Sequence, residues 1–305
     1  MKEQDFPTFP DKKHPVLNYD EVTKHLIEAE RLAKEFEPGQ KEATWIPRPE
    51  YPNLPIAVAL MSDIHYGSTN TDYKTLEEHL KIVEDTPNFY MATNGDHIDN
   101  FNAVIHPTGM TEDPIPPQLQ ARAFMQRLLE LDRKSKIACL GQGNHDDFGF
   151  AAGQDFYQSF MADFQAPIFT QGGILNMVLP GEKYRMILNH QYWGKSKINI
   201  TNAPKRLIEY EGGGNVDIGW LGHTHQSSYE HFTKGSREQL AVVSGTYKDN
   251  DPWAAKHGIS GREGDPGITV VLWPHEKKMQ AFKDMEVAQQ FILGKIFQYE
   301  EKHTK

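Results

Sequence analysis

The sequence predicts an α/β domain built on strands that are buried on both faces. Continuous apolar runs at 55–61, 89–92 and 137–140 are typical of strands that are buried on both faces. Between the first two runs, residues 73–83 carry apolar side chains at helical spacing. In open α/β sheets the chemistry lies at the carboxyl ends of the strands, so the residues after each run are the first candidates for a site.

The composition is that of a folded protein with a real core, since 38% of the 305 residues are hydrophobic and 24% are charged. The formal net charge of -10 argues against broad nonspecific binding to nucleic acid, which requires a basic face. A local basic groove, or metal ions that supply positive charge, would still allow a phosphate-bearing substrate. The 14 histidines fit either a metal protein or scattered surface histidines, and only their positions can decide.

A single cysteine, Cys139, excludes an internal disulfide and is expected to be a packed core thiol. No apolar run approaches the roughly 18 residues of a membrane helix. Residues 1–15 lack the apolar core of a signal peptide. We therefore expect a cytoplasmic protein in a reducing setting, without a membrane partner. The sequence leaves the oligomeric state open.

Residues 1–50 are predicted to form a helical extension and a linker ahead of one large domain at 51–305. Asn18 begins a capping box, and apolar residues then recur every three or four positions, which predicts a helix. The helix is expected to end at Pro38 and to pack on the flank of the domain. Residues 40–53, with three prolines, are expected to be an extended linker.

The rest of the large domain alternates predicted strands and helices around one long loop. Residues 101–117 carry four prolines and no periodicity, which is typical of a connection that shapes specificity beside a site. Predicted helices lie at 121–129, 154–165, 202–211 and from 285 onward, and predicted strands at 174–179, 185–189, 216–221, 239–244, 268–273 and 279–282.

Five predicted strands are each followed at once by side chains that can ligate a metal ion. Each side chain has an ordinary alternative role, such as a capping aspartate, a turn asparagine or a histidine satisfied by a backbone carbonyl. Their joint occurrence at five strand ends favours a metal site. Carboxylate, amide and imidazole ligands suit Mn²⁺, Fe or Zn²⁺ better than Ca²⁺. In chain order the candidates are Asp63 and His65, Asp96, Asn144 and His145, His190, and His223 and His225.

This ordered set of motifs resembles the calcineurin-like metallophosphoesterase family. The match spans roughly residues 56–225 and is highly specific because all five elements occur in order. The resemblance implies two packed mixed β-sheets flanked by helices, with a two-metal site at the strand ends. The family pattern D-x-H, G-D-x-x-D, G-N-H-[DE], a single H and G-H-x-H appears here as 63–65, 95–99, 143–146, His190 and 222–225.

The resemblance also implies a role for each site residue. Mn²⁺ is favoured for both ions, with Fe or Zn²⁺ as alternatives. His145 would stabilise the phosphoryl oxygens or protonate the leaving oxygen, with Asp146 orienting its ring. Asp99 would support one of the metal ligands. The implied ligands of one ion are Asp63, His65, Asp96 and His225, and those of the other are Asp96, Asn144, His190 and His223, with Asp96 as the bridge.

Two cations about 4 Å apart can clamp a phosphoryl group, lower the pKa of a bridging water and stabilise the charge of in-line attack. We therefore expect a metal-dependent phosphoester hydrolase, and a phosphodiesterase in particular, that attacks through a metal-bridging hydroxide. Asn100 stands where the family's phosphoprotein phosphatases have arginine, which disfavours protein dephosphorylation. The acidic balance favours a small-molecule substrate. The alternatives are a nuclease of the same family, acting on nucleic acid, and a non-catalytic metal-binding scaffold.

Overall fold

A computed structural model describes residues 19–35, 41–101, 113–148, 162–194, 196, 198–249 and 265–303 of the chain. The chain divides into two compact units, Met1–Pro38 and Gly39–Lys305. In the first unit the described part is one helix, α1 (Tyr19–Glu35), at the place where the sequence predicts a helix. The predicted cap Asn18, most of the predicted helix at 154–165 and most of the loop at 101–117 lie outside the described residues.

The second unit contains the other described elements. Among the described helices, none combines the length and the apolar character that crossing a membrane requires. The helices of this unit are α2 (Tyr73–Asp85), α3 (Pro117–Arg133), α4 (Asn202–Tyr210) and α5 (Met285–His303). The strands are β1 (Glu42–Trp45), β2 (Ile56–Met61), β3 (Phe89–Asn94), β4 (Ile137–Gly141), β5 (Ile168–Phe169), β6 (Gly173–Leu179), β7 (Glu182–Leu188), β8 (Ile218–Leu221), β9 (Ser228–Lys234), β10 (Arg237–Val243), β11 (Ile268–Leu272) and β12 (Met279–Phe282).

The strands form two mixed six-stranded sheets. The first sheet has the order β1-β6-β7-β8-β10-β9, and the second has the order β12-β11-β2-β3-β4-β5. In the second sheet β2, β3, β4 and β5 are parallel neighbours, so their carboxyl ends lie at one edge. In the first sheet β8 is parallel to both of its neighbours, β7 and β10. Each sheet therefore gathers several strand ends at one edge.

Three apolar layers hold the sheets and helices together. Alternate residues of β2 contribute to two of them: Ile56, Val58 and Leu60 join the cluster between the sheets, while Ala57 and Ala59 join the cluster under α2, α3 and α5. A third and smaller cluster lies between α4 and the outer face of the first sheet. The layer order is helix, sheet, sheet, helix, which confirms the predicted fold class of two packed mixed β-sheets flanked by helices.

Part of the stretch at 40–53, predicted as an extended linker, is a strand. β1 pairs in parallel with β6 at the edge of the first sheet, with Trp45 opposite Met177. Residues along β1 alternate between exposed and buried, as expected of an edge strand with one face on the core. The buried Trp45 packs edge-on against Tyr90 of the other sheet. A domain boundary at residue 50 stays a prediction.

Backbone and side-chain hydrogen bonds join the turns that follow the strands. The N–H of Asp63 donates to the carbonyl of Gly95 at 3.1 Å, which links the turns after β2 and β3. The side chain of Asn94 crosses between the sheets and donates to the carbonyl of Asn189 at 2.9 Å. The strand ends of both sheets thus meet at one place.

Truncation of Leu60 tests the layer between the sheets. This side chain is 1% exposed, so Leu60→Ala leaves a cavity, and we expect the free energy of unfolding to fall by about 2–5 kcal/mol. Leu293→Ala on α5, where the side chain is 43% exposed, is the matched control and should change it by less than about 0.5 kcal/mol. Urea denaturation measures both values. Equal losses would show that this layer is not what stabilises the fold.

Candidate metal centre

The backbone is strained at five of the predicted site residues. Asp63, His65, Asp96, His223 and His225 have φ between 51° and 66°, in the left-handed region that non-glycine residues rarely adopt. Such conformations cost of order 1–3 kcal/mol each and persist only where the surroundings fix them. The strain therefore marks these turns as places where side-chain placement takes precedence over local backbone energy.

Two glycines let the turns after β3 and β4 approach each other closely. Gly95 has φ of 85°, and a Cβ added there would lie 2.5 Å from the Cα of Gly143 and 2.5 Å from the Nδ1 of His190. A Cβ added to Gly143 would overlap the Oδ1 of Asp96. The residue before Asp96 and the residue before Asn144 must therefore both be glycine.

Asp63 is a buried carboxylate with one oxygen fixed and the other unsatisfied. Its Oδ2 accepts the backbone N–H of His223 at 2.8 Å. Its Oδ1 lies 3.3 Å from the Nε2 of His225 and has no hydrogen-bond partner among the described residues. A buried carboxylate oxygen without a partner is costly, so this atom requires a cation or a proton.

Asp96 repeats this arrangement after the neighbouring strand. Its Oδ1 accepts the backbone N–H of His145 at 2.9 Å, and its Oδ2 lies 3.1 Å from the Nε2 of His190. That Nε2 is buried and lacks hydrogen-bond geometry toward any described group, and so does the Oδ1 of Asn144. Carboxylate, imidazole and amide atoms thus remain unsatisfied at the same strand ends, and they form a donor set that suits a divalent transition metal.

Hydrogen bonds determine which nitrogen of three imidazole rings faces the site. The Nδ1 of His65 donates to the carboxylate of Asp99 at 2.8 Å, that of His145 to the Asp99 carbonyl at 2.7 Å, and that of His190 to the Asn94 carbonyl at 2.6 Å. Because these oxygens only accept, Nε2 is the atom left for a metal ion or a proton. Burial lowers the pKa of His65 to about 4 despite Asp99, so this ring is neutral at pH 7, as a metal ligand must be.

Metal-competent atoms of the described residues form three groups, each within 4.8 Å. Two of these groups each contain three of the four residues that the resemblance implies for one ion. The third group contains His65, Asp99 and His145. The donor set therefore fits a metal centre, whereas the assignment of individual ligands stays a prediction. The first two groups are Asp63 with His65 and His225, and Asp96 with His190 and His223.

The site holds an excess of negative charge. Burial by itself would lower the pKa of His190, but nearby carboxylates, above all Asp96, raise it to about 10. Burial would likewise raise the pKa of Asp63, yet the imidazole of His225, 3.3 Å away, and the charge of His190 bring it down to about 2. A proton on His190 thus balances charge that a cation would otherwise balance, and binding of a cation to that nitrogen would release the proton.

Asp146 does not orient the ring of His145, contrary to the sequence prediction. Its carboxylate accepts the backbone N–H groups of Gly143 at 2.8 Å and of Asp96 at 3.0 Å. The ring of His145 is held instead by the carbonyl of Asp99. Asp146 therefore joins the turns after β3 and β4, because its carboxylate accepts a backbone N–H from each of them.

Asp99 is buried beside two titratable residues outside the motifs, the buried Lys248 and the half-buried Asp113. It accepts the Nδ1–H of His65, as a support for that ring requires. The Nζ of Lys248 lies 3.0 Å and 3.1 Å from its two oxygens. Burial first, and then the charge of Asp99, raise the pKa of Asp113 to about 7. Sequence reasoning missed Lys248. It could have been found from the strand predicted at 239–244, because the carboxyl end of that strand lies at the same sheet edge as that of β8.

The chain matches the family model of calcineurin-like phosphoesterases over residues 56–227, which is more than half of its length, and it belongs to this family. The match contains all five motifs and confirms the resemblance that they carry. The family is one of phosphoesterases that use divalent metals, and this chain carries groups of residues that could hold such ions. A comparison with curated proteins found no match.

Solved structures similar to this chain include two phosphoesterases and a Vps29 protein, all at low identity. One is a predicted phosphoesterase from Streptococcus pneumoniae, with 16% identity, 75% of this chain and 98% of that chain covered, and a TM-score of 0.33. The calcineurin-like phosphoesterase YfkN from Bacillus subtilis has 13% identity, coverage of 76% and 91%, and a TM-score of 0.35. Vps29 from Entamoeba histolytica, complexed with zinc, has 11% identity, coverage of 74% and 97%, and a TM-score of 0.35.

Gly143→Ala tests the close approach of the two turns. Because the added Cβ would displace Asp96, we expect the affinity for Mn²⁺ to fall about tenfold or more. Gly294→Ala on α5 is the matched control, because the added Cβ would meet no other side chain or segment within 4 Å. It should leave Mn²⁺ binding unchanged and stabilise the helix by about 0.5–1 kcal/mol. Calorimetric titration and thermal unfolding measure both effects. Undiminished Mn²⁺ binding by Gly143→Ala would contradict the prediction.

Proposed function

We propose that this chain is a metal-dependent phosphoester hydrolase, and a phosphodiesterase in particular. One observation carries the proposal: the buried carboxylates of Asp63 and Asp96 each keep one oxygen for the site, next to histidines that follow strands of the other sheet. The family match supplies the phosphoester class of substrate. The mixed oxygen and nitrogen donors support metal dependence.

Two divalent ions suit these donors, with Mn²⁺ favoured and Fe or Zn²⁺ as alternatives. When bound, such ions stabilise charge on a phosphoryl group and lower the pKa of the water that attacks in line. The grouping of the metal-competent atoms of the described residues supports assigning the ligands to two separate ions. One ion would be held by Asp63, His65, Asp96 and His225, and the other by Asp96, Asn144, His190 and His223.

The chain itself would contribute a proton at the Nε2 of His145. The Nδ1 of this ring donates to the carbonyl of Asp99, so Nε2 is the atom that can hold and release a proton. The ring lies edge-on to that of His65 with a centroid distance of 4.6 Å, beside the candidate ligands. In the proposed reaction this proton passes to the leaving oxygen as the phosphorus–oxygen bond breaks.

The substrate class can be tested with a panel of phosphoesters in the presence of Mn²⁺. The formal net charge of -10 favours small diesters over nucleic acid. The panel contains a phosphomonoester, a phosphodiester, cyclic nucleotides, and single- and double-stranded DNA. Fastest turnover of a small diester supports the proposal, and cleavage of DNA alone identifies a nuclease. If no member of the panel is turned over, the alternative of a non-catalytic metal-binding scaffold is supported instead.

We expect two Mn²⁺ per chain after reconstitution, because the proposed ligand sets share Asp96. Elemental analysis of protein purified without chelator measures this number. Asp96→Asn should lower the occupancy of both ions, whereas Asp63→Asn should mainly weaken one. Saturation of the unaltered protein at one ion would overturn the two-metal proposal.

His145→Ala tests the proton donor. Because general acid catalysis contributes about 10²–10⁴-fold, the variant should lose activity in that range on a diester with an alkoxide leaving group. It should lose distinctly less on a p-nitrophenyl ester, since p-nitrophenolate leaves without a proton. Both bound metal ions should remain. Parallel steady-state assays of the two esters measure the difference.

Equal losses on the two esters would assign His145 to charge stabilisation on the phosphoryl oxygens, which does not depend on the leaving group. Loss of a metal ion from the variant would show instead that the residue has a structural role.

A further inference from the structure

Lys248 is a buried lysine beside the candidate metal centre. Its Nζ lies 3.0 Å and 3.1 Å from the two oxygens of Asp99, and the two side chains are 2% and 0% exposed. Burial of both charges costs several kcal/mol per ion, and the attraction between them offsets this only with good geometry. Such a pair is therefore weak evidence for stability and points to a role in positioning. Lys248 also lies beyond residue 227, where the family match ends.

Asp99 connects this lysine to a candidate metal ligand. Its Oδ1 accepts the Nδ1–H of His65 at 2.8 Å, so the carboxylate bonds to the imidazole and to the ammonium at once. The opposite ring nitrogen, Nε2 of His65, lies 3.2 Å from the Nε2 of His225 and belongs to the group with Asp63. The orientation of the Asp99 carboxylate thus determines where this nitrogen points.

The segment that carries the lysine is attached to the same turn as Asp63. The hydroxyl of Thr246 and the backbone N–H of Tyr247 donate to the carbonyl of Asp63 at 2.8 Å and 3.1 Å. The backbone N–H of Lys248 donates in turn to the hydroxyl of Thr246 at 3.0 Å. The backbone that carries Lys248 is therefore fixed against the turn that holds Asp63. This fixes the position of the ammonium group relative to Asp99.

A carboxylate at this place has other partners within reach. The oxygens of Asp99 form a group of metal-competent atoms with His65 and His145, all within 4.8 Å. Asp113 is a second carboxyl group, close enough for the charge of Asp99 to raise its pKa. Without a fixed ammonium, the carboxylate of Asp99 could turn toward these other atoms, and that change would release the ring of His65.

We propose that Lys248 is a positioning residue of the metal centre. It holds the carboxylate of Asp99 in the orientation that accepts the Nδ1–H of His65, and so keeps the Nε2 of that ring directed at the group with Asp63 and His225. The inference rests on the proposed function, in which this group binds a divalent ion.

The test is a cycle of variants titrated with Mn²⁺ in a calorimeter, in the absence of substrate. Lys248→Met should weaken the affinity for the ion held by Asp63, His65 and His225 about 10–100-fold. Such a loss is typical when a group that orients a metal ligand is removed. Asp99→Asn should weaken this affinity by a similar factor. The double variant should bind no more weakly than Asp99→Asn, because Lys248 acts only through that carboxylate.

Lys136→Met is the control for loss of a lysine that hydrogen-bonds within the fold but away from the site. The Nζ of Lys136 donates to the carbonyls of Thr86 and Phe89, near the start of β3 and away from the site. The variant should leave Mn²⁺ affinity unchanged even if it lowers the melting temperature. A comparable loss of affinity in Lys136→Met would show that the effect of Lys248→Met is one of general stability, and would overturn the inference.

Unchanged affinity in Lys248→Met would overturn the proposal. A further loss in the double variant beyond that of Asp99→Asn would also overturn it, since the lysine would then act by another route. Should Lys248→Met fail to fold, the double variant, which lacks both buried charges, can still be compared with Asp99→Asn. That comparison then decides whether Lys248 acts through Asp99. Turnover of the phosphoester panel is a separate measurement. If no member is turned over while the variants show the expected Mn²⁺ affinities, only the proposed function is overturned. Absence of Mn²⁺ binding in the unaltered protein would sink both.

Discussion

Three buried carboxylates at the ends of two adjacent strands constrain the rest of this structure. Asp63, Asp96 and Asp99 are each no more than 1% exposed. An isolated buried charge would cost more than the marginal stability of a typical domain, so each must have donors from other segments. Those donors are backbone N–H groups, imidazole rings and one ammonium group. The strained turns and the close glycines are the geometry that brings these donors within reach.

The donors come from both sheets, so the site exists only where the sheets meet. His190 and His223 follow strands of the first sheet, whereas the carboxylates follow strands of the second. Asn94 stands at this junction: its side chain donates to the carbonyl of Asn189, and its own carbonyl accepts from the ring of His190 at 2.6 Å. The apolar layer that packs the sheets together therefore also holds the two parts of the site in place.

Most of the central strands could be predicted because their burial is expressed in local sequence. The apolar runs at 55–61 and 137–140 correspond to β2 and β4, which are buried at every position. β1 could not be recognised, because an alternation of only four residues, followed closely by several prolines, is too short to indicate a strand. Its pairing partner, β6, lies far away in the chain.

The sequence by itself determined which atoms stand at each strand end, because the five motifs are local patterns of residue identity and order. Only the tertiary structure decided how those atoms are partnered. Asp146 bonds to backbone N–H groups instead of the ring of His145, and Asp99 pairs with Lys248, which is 149 residues away. The physical reason is that a hydrogen bond depends on the direction and separation of two groups from distant segments, and residue periodicity does not contain that information.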